Sequence, residues 1–359
     1  MPRRISILFL AIIALFSLSK PSIAQPERDS AGSVVEVEVP ALALEGNLLG
    51  TPTTQTAAVY LPPGYENESD QRYPVIYLLH GIFDDHGVWL ENYNVPAILD
   101  HLITENRIPE LIVVMPDGGN KYGGGYYRNS PVSGRWGDYI ANNLVEFVDA
   151  QFRTLANLDN RAVVGHSMGG YGALNLAMSH PGIFSVVWAM SPCCLAANDD
   201  LSFGNDAWKR AAGVSTPSDI QTLLENRDFY PVAILGVTAA FSPNPDSPPV
   251  YGDFPFDIVR GEVVLREAEH DRFLDALPLR QVRDARQDLR ALKGLALGVG
   301  LGDQFLHIPT GTLEFSQQLG SQRIPHLLDV YDGDHRQKVG KRLETLVFPW
   351  VAQRIGSTQ

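Results

Sequence analysis

The chain has 359 residues, of which 45% are hydrophobic and 19% charged, a balance too apolar for intrinsic disorder and a length that suits one large domain with insertions. Its 28 basic residues against 41 acidic ones leave a formal charge of −13. No Lys/Arg cluster supplies the basic footprint that nucleic acid or an anionic membrane surface requires, so neither is expected as a partner.

At the start, Arg3 and Arg4 precede an apolar run from Ile5 to Leu18, and Ser22-Ile23-Ala24 places small residues where a signal peptidase reads them. Residues 1–24 are expected to be a cleaved signal peptide, which makes the mature chain periplasmic or extracellular. The run is shorter than the ~20 apolar residues a membrane span needs, and no transmembrane segment is expected in the mature chain. Ser33 to Val39 and Ala57 to Leu61 alternate apolar and polar residues, the pattern of half-buried strands at a sheet edge. Continuous apolar runs follow at Pro74 to Leu79, Leu111 to Met115, Ala162 to Val164, Phe184 to Met190 and Leu295 to Leu301, as in strands buried on both faces of a parallel sheet. A last strand is read at His326 to Val330. Helical stretches are predicted at Val95 to Asn106, Tyr139 to Phe152, Met168 to His180 and Arg336 to Leu346. Strands alternating with helices define an α/β fold, a mostly parallel central sheet flanked by helices.

Residues 25–359 read as a single domain. The segment 201–292 interrupts the rhythm with a Pro-rich stretch from Phe241 to Pro249 and charged helical sequence from Glu262 to Leu292, broken at Pro278. This is far longer than an ordinary connection and is read as a large insertion before the acid-bearing strand, a cap or lid over the sheet's active edge. Cys193 and Cys194 are the chain's two cysteines. Adjacent residues close no useful loop, so no disulfide framework is expected, and the pair is read as buried small apolar side chains.

Gly165-His166-Ser167-Met168-Gly169 joins an apolar run to an apolar-striped helix. In that setting a very tight turn requires neighbours without side chains and lifts Ser167 to the carboxyl edge of the sheet at a helix N-terminus. A serine hydroxyl needs a general base, and the base needs a partner that holds its tautomer. The chain order for such an elbow is serine, acid, histidine. That order leaves His335, in the loop Asp332-Gly-Asp-His335, as the base, and Asp303, at the end of Leu295 to Leu301, as the acid. Two backbone donors are needed for the oxyanion: Met168, after the nucleophile, and Ile82 in the loop His80-Gly81-Ile82-Phe83, with Phe83 next to it. Tyr126, Tyr127 and Trp136 in the Gly-rich stretch Asn120 to Trp136, together with Trp89, are the candidates for substrate contact. No metal-binding or nucleotide-binding motif is present, and the chemistry calls for no cofactor.

Tyr73-Pro-Val-Ile-Tyr-Leu-Leu-His-Gly81 followed by Trp89, then Met115-Pro-Asp-Gly118, Gly165-His-Ser-Met-Gly-Gly-Tyr-Gly-Ala173 and Ser191-Pro192, resemble the esterase D family. Its members include S-formylglutathione hydrolases, feruloyl esterases, enterochelin esterases and mycolyltransferases. The resemblance implies an α/β-hydrolase fold, the triad Ser167–Asp303–His335 and an oxyanion hole from Ile82 and Met168; the insertion from Leu201 to Leu292 departs from it. The expected function is an exported serine esterase acting through an acyl-enzyme on small-molecule or glycan-linked esters. An acyltransferase would use the same triad, and a non-catalytic binding protein on this fold would lack one of its members.

Overall fold

The computed structural model describes residues 31–67 and 69–356; the expected signal peptide, residues 1–24, lies outside them. An eight-stranded sheet runs through the molecule: β1 Ser33–Pro40, β2 Thr54–Leu61, β3 Val75–Leu79, β4 Ile112–Pro116, β5 Arg161–His166, β6 Val186–Met190, β7 Gly294–Gly300 and β8 Leu327–Tyr331. In space the strands follow the order β1-β2-β4-β3-β5-β6-β7-β8. The pairs β1–β2 and β2–β4 are antiparallel, and the others are parallel.

The apolar runs explain this placement. Every residue of β3, β4, β5, β6 and β7 is buried, and the twofold side-chain period divides each strand between two cores. In β3, Val75, Tyr77 and Leu79 pack on one face, and Ile76 and Leu78 on the other. Each such aliphatic side chain contributes about 1.5–3 kcal/mol of burial. The alternating β1 is the sheet edge, mostly exposed.

Five helices matter for the site: α1 Val95–Thr104, α2 Val145–Gln151, α3 Met168–Ser179, α4 Phe229–Phe241 and α5 His307–Ser321. Leu99 and Leu102 of α1 join the core on the Ile76 face, and Tyr171 and Leu174 of α3 join the other. The helix expected from Tyr139 begins earlier, at Trp136, and passes through a wide turn at Tyr139–Leu144 before α2. The final helix lies further on than expected, from Val339 through Phe348–Ala352.

Within 201–292 the helices Asp206–Ala212 and Pro217–Glu225 precede α4. The charged helical sequence expected from Glu262 to Leu292 forms helices Glu267–Asp275, Pro278–Gln281 and Arg286–Ala291, interrupted before Pro278, but its first residues, Glu262–Leu265, instead pair with Phe256–Val259 in a short hairpin. The reason is local. Arg260 and Gly261 both take positive φ and close a two-residue turn between Val259 and Glu262, and Pro278 opens a helix at a position where its missing N–H costs nothing.

Candidate active site

Ser167 sits between β5 and α3 with φ +58° and ψ −117°, a left-handed turn that a side-chain-bearing residue adopts only when its surroundings enforce it. Three backbone bonds do so. The Ser167 N–H donates to Met190 O at 2.9 Å, and its carbonyl accepts from Tyr171 N at 3.0 Å and Cys193 N at 3.1 Å. The flanking glycines are sterically required: a Cβ on Gly165 would lie 2.0 Å from Gly169 O, and one on Gly169 2.1 Å from Leu79 O.

Asp303 follows β7 and His335 follows β8, and the two loops bring them together. His335 Nδ1–H donates to Asp303 Oδ2 at 2.7 Å, with the side chains 3% and 0% exposed. The second carboxylate oxygen accepts from Phe305 N at 2.9 Å. The His335 ring stands edge-on to Phe305 and 4.6 Å from the ring of His166, the residue before Ser167. Among the described residues the His335 ring bonds to Asp303 and not to Ser167 Oγ, a contact that in such sites often tightens only with substrate bound.

His166 precedes Ser167 and so does not fit the serine, acid, histidine order of a base; it donates Nε2–H to the His335 carbonyl at 2.8 Å. Burial, followed by the proximity of His335, holds His166 well below the usual imidazole range, so it stays neutral. A motif histidine whose ring must reach the loop of another histidine leaves no signature in spacing.

Of the two residues considered after Gly81, Phe83 has committed its N–H to Gly123 O at 2.9 Å. Ile82 lines the cavity beside Ser167. Among the described residues the amides of Ile82 and Met168 have no backbone acceptor, as first-turn position requires of Met168.

The cavity at Ser167 is narrow, about 40 Å³, room for a few waters. Helix α4 supplies Phe229, Ile234 and Val237 to one wall, and Phe305 and Ile308 face them. Of the four aromatic residues read as substrate contacts, Tyr126 lines this cavity and donates its hydroxyl to Ala233 O at 3.1 Å. Tyr127 is buried with its hydroxyl on His80 O, and Trp136 is buried with Nε1–H on Ser133 O. Trp89 packs in the core on the opposite side of the sheet. Phe229 and Tyr230 of the 201–292 segment line the cavity, whereas Trp208, Phe254 and Phe256 cluster with Phe203 and Phe273 and extend the core on the Val75 face.

Among the cavity residues not anticipated as such are its titratable ones, His307, Cys193 and Cys194. The only available signal was position, since each lies just past the carboxyl end of a central strand. His307 Nδ1 is 2.8 Å from Asp200 Oδ1, which also accepts the His307 N–H at 2.6 Å. Burial opposes the charge on His307, but Asp200 and Cys194 outweigh it and raise its pKa to about 9. Burial likewise works against ionised Asp200, and the bonds from His307 and Tyr230 bring it down to about 2. Among the described residues no three His, Cys, Asp or Glu side chains are grouped to hold a metal ion, and no helix is long and apolar enough to cross a membrane.

A family model described as "Putative esterase" matches residues 50–339. An esterase of Mycobacterium tuberculosis is 32% identical over 211 residues, 52% of this chain and 43% of that protein. An endo-1,4-beta-xylanase/feruloyl esterase of Xylanibacter ruminicola is 33% identical over 141 residues, 36% of this chain and 18% of that protein. The chain thus spans less than half the length of these curated relatives. Among solved structures, a ferulic acid esterase superposes with a TM-score of 0.59 at 20% identity, covering 90% of this chain and 99% of that one. An S-formylglutathione hydrolase from Agrobacterium tumefaciens gives 0.58 at 18% identity, covering 92% and 99%. At these identities the likeness establishes the α/β-hydrolase fold.

Proposed function

Because the chain belongs to the esterase family whose model matches residues 50–339, we propose that it hydrolyses carboxylic esters through an acyl-enzyme carried by Ser167, His335 and Asp303. Ser167 Oγ attacks the ester carbonyl carbon while His335 Nε2 takes its proton; Asp303 holds the Nδ1–H tautomer and stabilises the imidazolium. The amides of Ile82 and Met168 donate to the oxyanion of the tetrahedral intermediate, where one donor is worth about 2.7–4 kcal/mol. The C–O bond to the alcohol then breaks and His335 returns the proton to the leaving oxygen. Water, deprotonated by His335, repeats the attack and frees the acid and Ser167.

The observation that supports this reading is the buried 2.7 Å His335–Asp303 pair, its ring against His166, the residue before a serine held at positive φ. The apolar wall of α4, Phe305 and Ile308 suits a slender acyl group, and the feruloyl esterase relatives make aromatic acyl esters the first to assay. Residues 201–292, which supply α4, act as the cap over that group. We place the activity outside the cytoplasm on the basic-then-apolar start of the chain, an assignment checked by sequencing the N-terminus of the protein recovered from its native host. In a panel of chromogenic esters that includes acetyl and feruloyl, Ser167→Ala should lose about a thousandfold or more of wild-type turnover while its unfolding curve is unchanged. A folded variant that keeps a hundredth or more of that rate, on the order judged meaningful for a triad serine, overturns the assignment.

A further inference from the structure

Cys193 and Cys194 are free and buried, and take no part in the hydrolytic steps above. Their sulfurs stand 2.7 Å apart in the wall of the cavity that holds Ser167. The Cys193 N–H donates to the Ser167 carbonyl at 3.1 Å, so the backbone at the first of the two thiols also holds the nucleophile's turn. Cys194 itself is at φ +57°.

We propose that this pair is a modification site: a peroxide oxidises it to a vicinal disulfide, and closing that bridge slows turnover at Ser167. One thiolate attacks a peroxide oxygen, the O–O bond breaks, and the sulfur becomes a sulfenic acid as water leaves. The neighbouring sulfur attacks it, forming the S–S bond and expelling a second water. Two thiols and one hydrogen peroxide thus give one disulfide and two waters.

Geometry explains both why the bridge is reversible and why it is felt at the serine. Adjacent Cα atoms are about 3.8 Å apart, less than the ~4.4 Å at which ordinary bridges begin. A bridge there is strained, and strained bridges are the readily reduced, regulatory ones. The ring it closes contains the Cys193–Cys194 peptide. The ring also contains the Cα of Cys193, to which the N–H that Ser167 O accepts is attached, so closing it strains the anchor of that hydrogen bond and reshapes the wall lined by both sulfurs. Burial, then the Cys193 neighbour, push the Cys194 thiol up, while His307 against it opposes that rise. Both sulfurs line the cavity at Ser167, so the oxidant that reaches them is one small enough to enter it.

The effect on turnover rests on the esterase reading; formation of the bridge does not. The test takes the full chain, reduced, exposes it to hydrogen peroxide, and follows intact mass and kcat/KM on an aryl ester together. Loss of two hydrogens with at least about a tenfold fall in kcat/KM, the scale of a small misplacement of a reacting group, is expected, and dithiothreitol should reverse both. The doubly substituted chain, Cys193→Ser with Cys194→Ser, should show neither change relative to its own untreated rate. No mass loss, mass loss at constant rate, a rate loss that dithiothreitol does not restore, or an equal loss in the doubly substituted chain each overturns the proposal. If the reduced wild type hydrolyses no ester, the esterase reading has failed, and the mass alone decides whether the bridge forms.

Discussion

A serine at φ +58° between two glycines that touch the neighbouring backbone is held by its surroundings, and the cost of disturbing it is predictable. In Gly169→Ala the new Cβ meets Leu79 O at 2.1 Å and Leu79 C at 2.5 Å, atoms of a central strand that cannot move aside. The variant should lose about 1–3 kcal/mol or more in urea unfolding. Gly119→Ala, with open space around the same position, should stay within about 0.5 kcal/mol. Equal losses would show that the elbow is not close-packed. The need for small neighbours at Ser167 was legible in the sequence, as were Asp303 and His335, because chain order and strand ends locate them. What an aromatic side chain faces was not. Tyr126 and Tyr127 are adjacent, yet one lines the cavity and the other is core, a difference set by backbone twist in a Gly-rich loop.

Two buried histidines beside the site make stability pH-dependent. His80 Nε2 accepts from Gly118 N at 2.8 Å and its Nδ1–H donates to Gly81 O at 2.7 Å, which fixes the neutral tautomer. Burial lowers the pKa of both His80 and His166 below the ordinary 6.5. The unfolded chain then binds more protons just below that value, so their contribution is complete above about pH 6.5 and is lost progressively as the pH falls below it. Between about pH 8 and 6.5 the raised His307 works the other way, so the decline is read below that range: the thermal unfolding temperature, followed from about pH 6.5 down to about pH 5, should fall, and His166→Gln, which keeps a donor for the His335 carbonyl, should show a shallower fall. Parallel curves would mean that His166 does not titrate as described.

At the scale of elements, the central strands were legible within a residue or two because burial on both faces demands unbroken apolar sequence. Helix α5 was not. Its sequence, HIPTGTLEFSQQLGS, carries Pro309, two glycines and several Ser/Thr, all poor helix formers. Pro309 is tolerated in the first turn, and Ile308, Phe315 and Leu319 are held by the core. Residues 201–292 were read from their length and their Pro-rich stretch, but the part of them that lines the cavity lies before that stretch. Helix α4 lines the cavity, while none of the residues from Pro243 to Pro255 does. Ala233→Phe, which narrows the α4 wall, should therefore cut kcat/KM for feruloyl esters about tenfold or more relative to acetyl esters. Replacing Pro243 to Pro255 with a Gly/Ser linker should leave the ranking across the panel as it was. The reverse pattern would move the acyl group away from α4.

Over the whole molecule, the parallel sheet gathers at one edge groups that lie far apart in the sequence: the loop after β3, the elbow after β5, the cysteines after β6, Asp303 after β7 and His335 after β8. Ring contact of His335 with both His166 and Phe305 ties three of those loops into one unit. The part-exposed ion pair of Arg336 with Asp84, at 2.7 Å, joins the loop after β8 to the loop after β3 as well. The central claim is that this edge makes one serine a nucleophile. It is tested most directly by incubating the chain with a fluorophosphonate, which acylation-competent serines attack, and mapping the adduct by peptide mass. The account predicts a single adduct on Ser167 that is absent from Ser167→Ala; an adduct on another residue, or undiminished labelling of that variant, would contradict it.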